Sequence, residues 1–316
     1  MMSVWMVLTK GRRRAATPSR KISRHKQIKN VSGRFALASL AMICLSGVAQ
    51  AAENPGARSP FLQKMKFEVY ASGVNAVSAE LQVDLREKDR YRMIFGAETE
   101  GFLASMVPWE GTFESKGWVL PGGKQQPELH QSIASWKKEQ EIKTYHYSKD
   151  GTFLGIETKY TTKKPKNEVP DKALTDQTTD VLTATLVMME ELAKGKKCDS
   201  YSEIYDGKRR YGMSFQHQRY VMIKPSRYNV YSGPAVECIV EVIPRGGDWG
   251  KKPRGWLSIQ EQGRARGTMP TVWFAMVGEN NNIAVPVRVR VKTAYGTLFM
   301  HMTYFERGDT ILTQKK

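Results

Sequence analysis

The chain has 316 residues, 41% of them hydrophobic, and a formal net charge of +18. Residues 1–51 hold four Lys and six Arg and no acid, so residues 52–316 keep only 39 basic against 31 acidic residues. Such asymmetry marks a targeting or binding tail and excludes a uniformly basic fold, while the remaining length is ample for a sizeable core.

In chain order, a basic stretch from Lys10 to Arg34 precedes an apolar run from Phe35 to Val48, and Ala49-Gln50-Ala51 follows. That order predicts a secretory signal peptide over 1–51, cleaved after Ala51, and a mature chain that works outside the cytoplasm. The alternatives are an uncleaved anchor and a basic nucleic-acid-binding arm. The run is short against the ~20 residues of a membrane span, and an arm needs neither the run nor the Ala-x-Ala. Cys44 leaves with the signal, and Ile43 before it does not suit a lipoprotein cysteine. The pair that remains, Cys198 and Cys238, is expected to form one disulfide, the alternative being two buried thiols. No later run is long enough to anchor the chain in a bilayer.

Residues 52–60 read as a linker, and 61–310 as a single β-rich exported domain. Met65, Phe67 and Val69 alternate with polar neighbours, and Val77, Ala79, Leu81, Val83 and Leu85 show the clearest two-residue period. This is the pattern of strands with one wet face. Tyr91, Met93 and Phe95 continue it, followed by candidates at 112–119, 142–147 and 153–160 with a hairpin turn at Asp150-Gly151. Leu129, Ile133 and Trp136 are ambiguous and fit a short helix. Residues 161–178 read as a polar loop. Leu182, Leu186 and Met189 share a face of one strong helix over 180–193, with Thr178, Thr179 or Asp180 to cap it and Gly195 to end it. Strands are predicted again at 200–205, 208–215, 236–242, 256–260, 271–275, 285–292 and 297–304. The fold class that follows is mainly β: an antiparallel curved sheet or open β-barrel with one main helix.

Signatures of common chemistries are missing from the sequence. It has no Gly-rich phosphate loop, no Gly-x-Ser-x-Gly and no His-Glu-x-x-His. His130, His146, His217 and His301 fall in different elements, and Glu190-Glu191 sits on a helix surface. We therefore expect no catalytic residues, no metal and no cofactor. Basic clusters occur at 163–166, 194–197, 208–210 and 251–254. Arg288, Arg290 and Lys292 share one strand face, which suits either an anionic partner or plain solvation. The aromatic residues of the strands fit a closed core, or the lining of a pocket for an acyl chain or peptide.

Several segments together resemble an exported bacterial family. Phe67-Glu-Val-Tyr70-Ala-Ser-Gly73 opens the domain, and Val169-Pro170 precedes Asp180-Val-Leu182-Thr-Ala184. Asp206-Gly207-Lys-Arg-Arg-Tyr211 follows Cys198, then Tyr231-Ser-Gly233-Pro-Ala235-Val-Glu-Cys238, then Val285-Pro286-Val-Arg288 and Tyr295-Gly296. In this order they resemble the family of domain of unknown function 3108 over about 65–305. One departure is Ser78-Ala79, where a second glycine is expected near the first hairpin. The resemblance implies a periplasmic, mostly antiparallel β fold and carries over no catalytic residue. The expected function is a non-enzymatic cell-envelope protein binding a lipid, lipoprotein or peptide on a curved sheet. The alternatives are an adaptor docking another envelope protein and an unrecognised hydrolase, with nucleic acid excluded as a partner.

Overall fold

The structure, a computed structural model, describes residues 61–250, 256–278, 283–293 and 296–314. The expected signal peptide, the linker at 52–60, the 251–254 cluster and Tyr295 lie outside the described residues.

The first half of the sheet is a meander. It runs through β1 (Gln63–Ala71), β2 (Val74–Asp84), β3 (Arg90–Thr99), β4 (Trp109–Val119), β5 (Gln125–Trp136), β6 (Glu139–Tyr147), β7 (Phe153–Tyr160) and the short β8 (Lys166–Glu168). The second half is β9 (Ser200–Tyr205), β10 (Arg209–Ile223), β11 (Gly233–Gly247), β12 (Thr271–Ala275), β13 (Val285–Thr293), β14 (Gly296–Arg307) and β15 (Thr310–Thr313), which carries the sheet past residue 310. All these strands pair antiparallel, and β1 joins the halves by pairing β14 in the order β8-β7-β6-β5-β4-β3-β2-β1-β14-β13-β12-β11-β10-β9. Along one side of β14, β13 pairs Gly296 to His301 and β15 takes over from Tyr304.

Alternation decides the two faces. Met65, Phe67 and Val69 of β1 are buried with Leu81, Val83, Met93, Phe95, Val287, Val289 and Met302. The intervening residues look outward, as a two-residue period requires. Each of these large side chains contributes roughly 1.5–3 kcal/mol by leaving water.

Helix α1 (Gly101–Met106) caps the β3–β4 connection, α2 (Lys172–Thr175) lies in the segment expected to be loop, α3 is Val181–Ala193 and α4 is Trp256–Ala265. The strong helix of the sequence is α3. It starts on Asp180, whose side chain caps Thr183 N, and stops at Gly195, held at φ +76. It packs against β4 and β5 on one side and β9 and β10 on the other, and the N–H of Ala284 donates to Met189 O at 2.9 Å. The helix therefore lies inside the curl of the sheet, which explains why both faces of α3 are largely buried.

Among the described residues the sheet does not close by backbone hydrogen bonds. Its two ends meet through side chains instead. Tyr145 donates to Asp206 O at 2.9 Å, and Phe153 sits edge-on to Tyr147 and Tyr205, with centroids 5.1 and 5.5 Å away. The outcome is the open barrel of the expected fold class, sealed along an aromatic seam.

Three readings are corrected, the first being the loop over 161–178, which holds β8 and α2. The strand predicted at 256–260 is the start of α4, which buries Trp256, Ile259, Gln260 and Gly263 on one helical face. Gln260 bonds both the N–H and the C=O of Val242, at 2.7 and 3.0 Å, replacing a strand neighbour with a side chain. Conversely, Leu129, Ile133 and Trp136 lie on β5, opposite His146, Ile142 and Glu139 of β6. Their helix-like spacing is incidental, because this stretch is half-buried on both faces and so shows no clean period.

Candidate functional site

Beyond Arg288 and His301, β13 and β14 part, and the β10–β11 connection wedges into the gap. Asn229 Nδ2 donates to Val287 O at 2.8 Å, and the N–H of Val230 donates to Met302 O at 2.9 Å. Each rescues a carbonyl that lost its ladder partner. The wedge places Tyr228 over the outer face of the sheet, 4.9 Å edge-on from Tyr70 and stacked 5.9 Å from His301. Beside it lies a cleft of about 390 Å³, lined by Tyr70, Lys224, Tyr228, Arg288, Phe299 and His301 with smaller residues that include Ser72 and Gly73.

The register makes these residues a ladder. Arg219, Glu237, Trp273, Arg288, His301 and Glu68 lie across β10, β11, β12, β13, β14 and β1 in one row, and Thr271, Arg290, Phe299 and Tyr70 form the next. Arg288 lies over the rings of Phe299 and Trp273, 4.7 and 5.0 Å from their centres. Arg290 also faces Trp273, at 5.2 Å, and donates to Thr271 Oγ1 at 3.1 Å. Burial, and then the adjacent Arg290, hold the Arg288 pKa below the usual guanidinium value. Burial, and then Arg288, push His301 down to about 4, so its imidazole is neutral at neutral pH. The Arg288 Nε and His301 Nδ1 atoms are buried with no hydrogen-bond partner. A buried polar atom without a partner costs about 1–3 kcal/mol, and such atoms mark places built for something else.

A second polar cluster lies inside the barrel. Ser115 Oγ donates to Asp180 Oδ1 at 2.6 Å and stands 2.7 Å from His130 Nδ1, while Thr183 Oγ1 donates to Asp180 Oδ2 at 2.6 Å. Tyr91 OH lies 2.8 Å from Thr183 Oγ1. Each hydroxyl has one hydrogen, so the chain of donors must run from His130 Nδ1–H through Ser115 to Asp180, and from Tyr91 through Thr183 to Asp180. Burial lowers the His130 pKa and raises that of Tyr91, which favours these neutral donors. Serine, histidine and aspartate thus meet, but in an order opposite to nucleophile activation: the histidine donates to the serine oxygen instead of taking its proton. Ser115 is also fully buried. The chemistry of this cluster is to cap α3 within the barrel.

The model of the family described as protein of unknown function (DUF3108) matches residues 66–303. The chain belongs to this family. No curated protein matches it. A crystal structure of a β-barrel-like protein of domain of unknown function DUF1849 from Brucella abortus is similar over 80% of this chain and 100% of that one, at 8% identity and a TM-score of 0.41. Two of the DUF3108-like segments of the sequence deliver cleft residues: the first carries Tyr70, Ser72 and Gly73, and Val285-Pro286-Val-Arg288 carries Arg288. Another supplies Asp180 and Thr183 of the cap.

The expected basic face of Arg288, Arg290 and Lys292 does lie on one side of β13, each residue half-buried. It is not an open stripe, because aromatic neighbours from β12 and β14 enclose the two arginines. Cys198 and Cys238 are joined at disulfide distance, their Cα atoms 6.2 Å apart. The residues that sequence reasoning missed are Tyr70, Tyr228 and His301. For Tyr70 and His301 the signal was the polar side of a strand carrying rings, whereas Tyr228 lies in the β10–β11 connection and had no such signal. Among the described residues no helix is long and apolar enough to cross a membrane, and no His, Cys, Asp and Glu group could hold a metal ion.

Proposed function

We propose that this DUF3108 protein is a non-enzymatic binding protein of the bacterial cell envelope, which works in the periplasm and holds a lipid, lipoprotein segment or peptide in the outer-face cleft. The observation that carries the reading is the cleft itself: concave, walled by Tyr70, Tyr228 and Phe299, with a few convergent polar groups. The charge order of residues 1–51 and the paired cysteines support the location.

Native mass spectrometry of protein recovered from the periplasm tests both parts. We expect cleavage after Ala51 and a small-molecule adduct that disappears on denaturation. Thr297→Trp, which fills the cleft, should abolish the adduct, and Ile311→Trp, on the exposed face of β15, should retain it. Repeated absence of any adduct from the unsubstituted protein would sink the reading.

A specific observation favours the adaptor reading as second choice. Phe102 and Met106 of α1 are 72% and 58% exposed, and Val74 beside them is 62% exposed. Such a ridge suits a docking partner. Under that reading Phe102→Ser would abolish photo-crosslinking from position 106 to one discrete envelope protein, and the adduct would be missing.

A further inference from the structure

We infer that the cleft receives its ligand by a monoanionic head, a carboxylate or phosphodiester, set against the Arg288 guanidinium, with a single apolar body lying on Phe299 and Tyr228. This rests on the cleft being a binding site, and adds what it selects.

The argument is one of unmet valence. A guanidinium carries five N–H donors in its plane. Among the described residues, none of those of Arg288 meets an acceptor; its neighbours are the ring faces of Trp273 and Phe299. A ring contact offsets part of the cost of removing the cation from water but satisfies no donor. The acid in its row, Glu237, is already shared by two other arginines, with Arg219 at 2.8 Å and Arg290 at 3.9 Å. The other acid of the row, Glu68, is engaged by the Tyr70 hydroxyl. Among the described residues the cleft walls contain Arg288 and Lys224 but neither Asp nor Glu. A half-buried cation with open donors, on which Glu237 acts only through space, facing an apolar cleft, is the complement of an anionic amphiphile.

The size and the neutral His301 sharpen the class. One unopposed guanidinium matches one negative charge, with Lys224 adding long-range attraction. A cleft of about 390 Å³ is at the small end for ligand sites, so it takes a head and part of one chain and not a whole diacyl lipid. The rings supply a flat wall for that chain.

The test is calorimetric titration of the delipidated exported protein with laurate, lauroyl-lysophosphatidylglycerol and uncharged methyl laurate. We expect at least one anion to bind ~10-fold or more tighter than the ester, because charge-assisted hydrogen bonds are at stake. Arg288→Gln should weaken that anion by roughly 10- to 100-fold and leave the ester unchanged, with Arg288→Lys between them. Which of the two anions binds better identifies the head. If Arg288→Gln binds anions and ester as the unsubstituted protein does, the inference falls while the cleft reading stands. If none of the three binds and native spectra show no adduct, both fall. Should Arg288→Gln not fold, equal affinity of the unsubstituted protein for laurate and its ester overturns the inference alone.

Discussion

Asp180→Ala tests the claim that α3 is pinned inside the barrel by its cap. Asp180 is 2% exposed and accepts from Thr183 N at 2.9 Å, Thr183 Oγ1 at 2.6 Å and Ser115 Oγ at 2.6 Å. Loss of the N-cap bond costs about 1 kcal/mol. Two hydroxyl donors stranded in the interior add about 1–3 kcal/mol each. Removing a buried charge returns part of this, so we expect a net loss of about 4 kcal/mol. Asp180→Asn keeps the volume and one acceptor, and the hydroxyls can rotate toward its amide, so it should cost about 1–2 kcal/mol. Ser115→Ala should cost a similar amount, and the double variant with Asp180→Ala should lose at least about 1 kcal/mol less than the sum, because one bond is removed twice. Urea unfolding followed by far-ultraviolet circular dichroism measures each, provided the denaturant slope stays constant across the set. A loss of under about 1 kcal/mol for Asp180→Ala, the cost of a cap in water, would refute the buried network.

Gly117→Ala should be severely destabilising, by about 3 kcal/mol or more, because its Cβ would stand 2.2 Å from Gln126 O and 2.8 Å from Pro127 Cα, both backbone. Gly212→Ala should cost about 1 kcal/mol or less, since the clash there is with the exposed Tyr201 ring, which can swing away; equal melting temperatures for the two variants would refute the contrast. Breaking the Cys198–Cys238 link, which closes 40 residues of sequence, should cost about 4 kcal/mol in the chain-entropy model; labelling of both thiols by alkylation without reductant would show the link absent. His301 has its folded pKa held at about 4 against an ordinary 6.5, so the unfolded chain takes the proton first as acid is added. Stability should therefore be intact above pH 6.5 and fall between 6.5 and 4 by about 1–2 kcal/mol, allowing for partial exposure, and His301→Gln should flatten that part of the profile. An unchanged profile in the variant would refute it.

The β fold was legible where one face is dry and the other wet. β7, β9 and β12 begin and end where alternation predicts, and Asp180 and Gly195 bound α3 because capping is a local matter between a side chain and its own turn. Legibility failed where a segment answers to partners distant in sequence. Trp256 to Gln260 shows apolar residues that fit a strand, but Gln260 finds its hydrogen bonds on Val242, and that contact makes the segment a helix. The β5 residues from Glu128 to Ser135 are half-buried on both sides, so no period survives to read. The candidate site was half-legible. Arg288 stood out as part of a basic face, but Tyr70, Tyr228 and His301 come from β1, a connection and β14, and nothing local in those segments indicates that they share one cleft.

The position of the cleft follows from what fills the barrel. A curved sheet of this length, taken alone, offers its concave face to a ligand, and the sequence-based expectation named a curved sheet without choosing a face. Here α3 occupies that face: Leu186 and Met189 are fully buried, and Tyr91 and Ser115 turn their hydroxyls toward the helix start. The interior is spent on stability, so binding has to use the outer face, which a two-residue period normally leaves polar. A cleft can form on that face only where the ladder is interrupted, because an unbroken sheet is too flat to enclose anything. The interruption lies where β14 exchanges β13 for β15, and the Asn229–Val230 wedge both repairs the lost hydrogen bonds and raises Tyr228 as a wall. Cleft and wedge are therefore one device. Asn229→Ala, which leaves Val287 O without its donor, should lower stability by about 1–3 kcal/mol and release Tyr228 from His301. Loss of stability with ligand affinity unchanged would separate wedge from cleft and contradict this account.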